Sequence, residues 1–340
     1  MFRYLITLTP LGLLYGSAGG FLSPDNLVGR SQAKFPPDSG TFAGLLLAAT
    51  QQNQTAIEKR HLTVAGPFWT TDRLWDNPQR DFFVPLPRTK VVGKTPGEFD
   101  TWTFDRTTDT TQATTWRRQR KDLKSDYSWQ TLSSWTDTAA KLNHQADTSV
   151  QTPPWQFVPM LHPRMQEGER CVEEEGGLFL EQAVRMNDDA RLVYASTEPI
   201  FDGWYKFGGE NHLVELECIA IDQTHQLNQL LAQPIGDSFA IITPAVWGSN
   251  RRSLRCPDDD FPYRASLTDK PVPYRSRSGG QEHPGQPGRL GRGRYAVKAG
   301  SVYVLSETRS DNWWQWERWF PREGFSLQRL GCGLALPLAV

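Results

Sequence analysis

The sequence predicts a loop-rich α+β protein. Only 38% of residues are apolar and mean hydropathy is −0.54, while Gly (28) and Pro (24) are plentiful, a balance that disfavours a helical bundle. The clear periodicities are mostly those of strands. At 340 residues the chain exceeds the length at which one hydrophobic core stops growing, so two domains, or one with large insertions, are expected.

Residues 3 to 9 read as a first strand, clearest over Tyr4 to Leu8, and Pro10 to Gly40 as a long loop punctuated by Gly and Pro. Asp38 or Ser39 can cap a helix over Thr41 to Gln51, where Phe42, Leu45, Leu46 and Ala49 recur at near-helical spacing. Leu62 to Val64 is the next strand. From about 100 to 154 the composition turns to Thr, Ser, Gln, Asp and basic residues, with Trp102, Trp116, Trp129 and Trp135 almost the only large apolar groups. That stretch reads as an insertion outside the core. Gly177 to Val184 and Arg191 to Tyr194 flank the turn signal Asn187-Asp188-Asp189, which predicts a hairpin.

A second module then follows. Val214 to Ile221 as strand, Gln223 to Leu231 as helix, and Phe239 to Trp247 and Gly300 to Leu305 as strands make a split βαβ order. The expected division is 1–211, carrying the insertion, and 212–340. The loop at about 268–294 is too rich in Pro, Gly and Ser to pack. From Arg264 to Lys298 it and its flanks hold eight basic residues against two acids, the strongest basic stretch in the chain.

A net charge of −1 argues against a free-standing nucleic-acid binder and leaves local patches as the option. Cys171, Cys218, Cys256 and Cys332 lie far apart without CxxC or zinc spacing, and read as reduced thiols in cytoplasm. The N-terminal run YLITLTPLGLLYG reads as a strand rather than a signal peptide, because two threonines and Pro10 interrupt it. No stretch reaches the roughly 18 apolar residues a membrane span needs.

Eight short segments in chain order carry a resemblance. They are Thr9-Pro10-Leu11; Phe35-Pro36-Pro37 with Thr41 and Gly44; Gly66-Pro67 with Pro85-Leu86-Pro87; Glu175-Gly176-Gly177-Leu178-Phe179; Gly208-Gly209-Glu210; Thr243-Pro244; Ala299-Gly300-Ser301-Val302-Tyr303; and the terminal loop Leu330-Gly331-Cys332-Gly333. Together they resemble the third Cmr subunit of type III-B CRISPR effector complexes, of the RAMP superfamily. The resemblance implies two ferredoxin-like (RRM-like) domains with a protruding hairpin, here with long insertions. It implies a non-catalytic cytoplasmic subunit, without cofactor, that holds the 5′ tag of the guide RNA (crRNA). Its implied protein partners are the large polymerase-like subunit and neighbouring backbone RAMP subunits. Family members often carry an Arg-Asp pair after the first strand; Tyr15-Gly16-Ser17-Ala18 stands here, so the resemblance assigns no tag contact to that spot.

Candidate RNA-binding residues fall into clusters. In the terminal loop, Gly331 and Gly333 can expose backbone N–H groups to phosphates, with Arg329 adding charge; the bland alternative is a turn between strands. Asn250, Arg251 and Arg252 follow a strand end where guanidinium groups can fork onto phosphate, or form a solvated turn. Arg292, Arg294 and Lys298 close the basic loop. Trp116, Arg117 and Arg118 place a stacking surface beside charge. Arg30 and Lys34 precede the first helix, Ser39 and Thr41 open it, and His162 is a further candidate contact. Trp313, Trp314, Trp316 and Trp319 crowd seven residues, more than one core face can take, so some are expected to meet a protein partner, with an ordinary core contribution from two or three of them as the minimum.

Catalytic machinery is not evident. There is no Walker sequence, GxSxG or HExxH, and the six histidines show no metal spacing. The rival function is a metal-independent RNA-processing endonuclease of the same superfamily, with His162 or His61 as general base.

Overall fold

The computed structural model describes residues 1–15, 34–52, 57, 61–105, 116–163, 165–166, 168, 171–172, 177–208, 212–249, 251–257, 261–278 and 289–340. Arg30 and Asn250 lie outside these. In chain order the main elements begin with β1 (Tyr4–Pro10), α1 (Ser39–Gln52), β2 (Val64–Thr71), β3 (Phe83–Pro85), β4 (Trp129–Thr131) and β5 (Val150–Gln151). They continue with β6 (Trp155–Pro163), β7 (Leu178–Met186), β8 (Ala190–Ser196), β9 (Gly203–Phe207) and β10 (His212–Ala220). The C-terminal part holds α2 (Gln226–Ala232), β11 (Gly236–Ile241), β12 (Tyr263–Leu267), β13 (Val302–Arg309) and β14 (Ala335–Pro337). Strands dominate and helices are few, a mixed α and β chain as expected.

An eight-stranded antiparallel sheet runs β5-β4-β3-β2-β8-β1-β10-β9. α1 crosses from β1 to β2 with β8 between the two strands, a split βαβ unit. The helix starts where the backbone carbonyl of Asp38 takes the Thr41 amide (2.9 Å). Its Phe42 ring stacks on Tyr194 of β8 at 4.4 Å, and the Tyr194 hydroxyl donates to the Pro37 carbonyl (2.6 Å), which fixes the proline turn that precedes the helix. A four-stranded antiparallel sheet, β12-β13-β11-β14, builds the C-terminal part. One contiguous apolar core runs through both sheets.

Four expectations change. Asn187–Asp189 does not close a hairpin: β7 pairs with β6 and with the short strand Leu14–Tyr15, whereas β8 pairs with β1 and β2. The turn carries the chain from one sheet to another. The strand expected to open a second module, β10, pairs along its length with β1 and so belongs to the first sheet. The 100–154 stretch is no appendage. β4 and β5 extend the large sheet, Trp135 is fully buried, and its Nε1 donates to the Pro337 carbonyl in the last strand (2.8 Å).

The tryptophan-rich run is also core. It forms two 3-10 turns, Trp313–Gln315 and Glu317–Trp319, capped by Asn312. Trp313 and Trp316 are wholly buried and Trp319 nearly so, leaving only Trp314 half-buried. Short 3-10 turns repeat every three residues, so Trp313, Trp316 and Trp319 share one face. That face meets Phe239, Trp247 and Phe261, with ring centroids 5.1 Å apart for Phe239–Trp316 and 4.8 Å for Phe261–Trp319. The indole N–H groups find acceptors inside, Trp316 on Asp311 (3.0 Å) and Trp313 on the Cys332 carbonyl (3.3 Å).

Candidate nucleic-acid interface

Proline turns converge between the two sheets. Phe35-Pro36 ahead of α1, Pro67 in β2, Pro85-Leu86-Pro87 at the end of β3 and Pro244 after β11 line one cleft of about 1010 Å³. Prolines suit such a wall because they present apolar surface without an N–H to satisfy. The volume is at the upper end of roughly 300–1,000 Å³ typical of ligand clefts.

Six basic side chains line it, Lys34, Arg88, Lys90, Arg118, Lys124 and Lys298, against a single lining carboxylate, Asp38. The local field is therefore positive although the chain is near neutral. Lys34 pairs with Asp38 and lies 5.5 Å from the Tyr274 ring centroid. The Arg118 guanidinium sits 4.8 Å over the Trp102 ring. Arg88 Nε and Arg118 Nε are both buried and find no hydrogen-bond partner among the described residues. Unmet charged donors at a cleft wall are what an anionic ligand would satisfy. Trp102, Tyr127 and Trp129 add aromatic faces to the same cleft, and such faces stack unpaired bases.

Lys90 forms part of the floor and is nearly buried. Its Nζ donates to the Trp135 carbonyl (2.6 Å) and to Gln130 Oε1 (3.1 Å), both neutral acceptors. Desolvation brings its pKa down to about 7, with the charge of Asp137 opposing the shift.

Of the residues expected to meet RNA, Lys34, Arg118 and Lys298 line this cleft. Trp116 is instead half-buried, its Nε1 bound to the Ser266 carbonyl (3.1 Å) and its ring against Phe104, so it braces the 116–117 strand on β12. Arg117 is exposed, 3.7 Å from Asp105. Arg294 is buried and donates to Glu323 (3.0 Å) and to the Ser249 carbonyl (3.1 Å), which spends its guanidinium on structure. Arg251, Arg252 and Arg292 are exposed, as is Thr41 at the start of α1, and Arg329 is half-buried. His162 lies on β6, 3.5 Å from Glu181 of β7, and His61 is exposed ahead of β2; neither lines the cleft.

The terminal glycine loop faces inward. Gly331 and Gly333 are buried and left-handed, with φ of 66° and 60°. A Cβ on Gly331 would stand 2.5 Å from Ala65 Cα, and one on Gly333 would stand 2.9 Å from the Trp247 ring. The Gly331 amide donates to Gln328 and the Gly333 amide to Pro244, both to carbonyls, so neither N–H is offered to a phosphate. Ser39, expected at an RNA surface, is buried and donates to the Leu330 carbonyl. Thr243 Oγ1 donates to the Gly331 carbonyl (2.5 Å) and accepts from the Leu334 amide (2.8 Å). The loop is the latch where α1, β2 and the C-terminal sheet meet.

Arg88 and Lys90 escaped the sequence reading, although they follow Pro85-Leu86-Pro87 directly. Their position beside that turn was the available signal.

The family model described as CRISPR-associated protein (Cas_Cmr3) matches residues 13–339. The chain belongs to that CRISPR-associated family. The resemblance carried by the eight segments is thereby borne out. No curated protein matches. Among solved structures, the chain is similar to one in type III-B Cmr-beta bound to cognate target RNA and AMPPnP, at 13% identity and TM-score 0.47, covering 88% of this chain and 86% of that one. A chain of the Csm3-Csm4 subcomplex of a type III-A interference complex is similar at 9% identity and TM-score 0.37 (91% and 94% covered). A chain of a Csm1-Csm4 cassette in complex with pppApA is similar at 12% identity and TM-score 0.32 (90% and 87%). No helix among the described residues is long and apolar enough to cross a membrane.

Proposed function

We propose that this chain is a non-catalytic subunit of a type III-B CRISPR ribonucleoprotein that holds the 5′ tag of the guide RNA in the proline-walled cleft and docks onto the large polymerase-like subunit. The observation that carries the RNA reading is the cleft itself, where six basic side chains, two of them with buried donors unmet among the described residues, stand beside three aromatic faces. Family membership supports the setting. Docking is assigned to the free edge of the large sheet rather than to the tryptophan-rich run. There, Trp204 on β9 is 70% exposed, and Phe201 just before that strand, Leu213 on β10 and Leu11, whose amide donates to the Leu213 carbonyl, are exposed as well.

One co-expression experiment tests both halves. Arg118→Ala with Lys124→Ala should weaken guide-RNA binding by about 10-fold or more while leaving co-purification with the large subunit intact. Trp204→Ala should do the reverse. Unchanged RNA affinity in the double variant rules out the cleft. Cleavage of labelled repeat RNA that disappears in His162→Ala would replace the binding role with the endonuclease reading.

A further inference from the structure

Asp269 stands in the turn between β12 and the Val272–Tyr274 strand, whose Val272 and Pro273 line the cleft. Its Oδ1 accepts from the Lys270 amide (2.8 Å), which fixes the carboxylate on its own turn. Its Oδ2 receives Arg88 Nη2 and, at 3.3 Å, Lys298 Nζ. The two cations come from distant parts of the sequence, Arg88 and Lys298, that meet side by side. Arg88 follows the Pro85-Leu86-Pro87 turn, and its amide donates to the Gly300 carbonyl (2.8 Å); Lys298 precedes that same glycine turn. The Lys270 amide, with Arg88 and Lys298 behind it, holds the Asp269 carboxyl below the usual carboxylate range, so it is an anion at neutral pH.

An Arg and a Lys converging on one oxygen make the contact that the same pair makes on a phosphate oxygen. Three of the other cleft cations are differently engaged: Lys34 pairs with Asp38, Lys90 rests on neutral acceptors and Arg118 is stacked on Trp102. Arg88 also keeps one buried donor, Nε, that Asp269 leaves unmet. A carboxylate offers two oxygens, and one is already held by the turn; a phosphate has more to give.

We propose that Arg88 and Lys298 form a subsite for one phosphate of single-stranded RNA, in which the Asp269 carboxylate stands in until RNA displaces it. This rests on the cleft reading above. Displacement exchanges one anion for another, so these two cations release no counterion on binding. The wild-type protein therefore binds more weakly, and with a shallower salt dependence, than its cleft cations alone would give.

Fluorescence anisotropy of a short labelled oligouridylate with the full chain tests this over a salt series. Asp269→Asn keeps the acceptor for the Lys270 amide and removes the charge. It should tighten binding roughly 3- to 10-fold at low salt and steepen the slope of log affinity against log salt by about 0.7 for each phosphate contact freed. Adding Arg88→Ala should abolish that gain. If Asp269 is only a clamp between these segments, Asp269→Asn weakens binding or leaves it unchanged, and the subsite is overturned; a gain that survives Arg88→Ala overturns it equally. The Arg118→Ala, Lys124→Ala protein separates the two readings. If it loses affinity while Asp269→Asn has no effect, the cleft stands and the subsite falls; if it binds as wild type, both fall.

Discussion

Lys90 shows how a single residue couples the cleft to the stability of the fold. Its ammonium is nearly buried on two neutral acceptors, and its pKa falls from 10.5 to about 7. Between those values the unfolded chain binds more protons than the native one, so stability rises as pH climbs from 7 toward 10.5 and is level below 7. Urea unfolding of wild type and Lys90→Met at pH 7, 8 and 9 reads this directly. Wild type should gain on the variant by at most about 1.4 kcal/mol per pH unit; parallel pH profiles would show that Lys90 titrates normally. Nothing at position 90 of the sequence announces this, because its burial depends on β4 and Trp135, forty and forty-five residues away. Lys34, Arg118 and Lys298 were legible for the opposite reason. Lys34 stands just before Phe35-Pro36, Arg118 two residues after Trp116 and Lys298 just before Ala299-Gly300, so each was marked by its own neighbours in the chain.

At the scale of elements, the terminal glycine loop illustrates a sequence signal with two physical meanings. Glycine permits positive φ, and it permits close approach of another backbone; the loop uses both, but toward β2 rather than toward a ligand. Position 331 is the test. Gly331→Ala adds left-handed strain and a Cβ 2.5 Å from Ala65 Cα and 2.6 Å from the Val64 carbonyl, which together cost about 2–5 kcal/mol. Gly324→Ala, at φ +82° with nothing within 4 Å, carries the strain alone, about 1–2 kcal/mol. Thermal melts should rank Gly331→Ala well below Gly324→Ala; equal shifts would place the loop on the surface. The same ambiguity explains the tryptophan-rich run. Counted on a 3.6-residue helix, its rings could not share one face, but 3-10 turns bring Trp313, Trp316 and Trp319 into register. Length and type of turn, which periodicity alone does not specify, decided between interface and core.

For the whole molecule, the pairing of β10 with β1 and the passage of one core through both sheets determine how the chain can be divided. A cut at 211/212 removes β10 from between β1 and the edge strand β9 and leaves β9 without its neighbour. It also withdraws the glycine latch from β2, the Pro337 carbonyl from Trp135 and Asn228 from Phe2, whose amide and carbonyl it bonds at 3.2 and 2.8 Å. Strand-forming residues at 214–221 and the turn signals around them were read correctly as a strand; their partner, over 200 residues away at the N-terminus, has no local mark. The eight segments that carried the family resemblance were legible in order because several of them are the points where distant walls touch: Pro67, Pro85, Pro87, Pro244 and Ala299 all line the cleft. Two consequences can be measured. Expressed alone, 1–211 and 212–340 should each fail to give dispersed, protected amide spectra, and mixing them should not restore RNA binding. The intact chain should unfold in one transition, with tryptophan fluorescence, whose indoles lie in both halves of the chain, coinciding with far-UV circular dichroism. Two separated midpoints would mean that the sheets fold as independent units, and the latch residues Ser39, Thr243 and Gly331 would then bear on docking between them rather than on the stability of either.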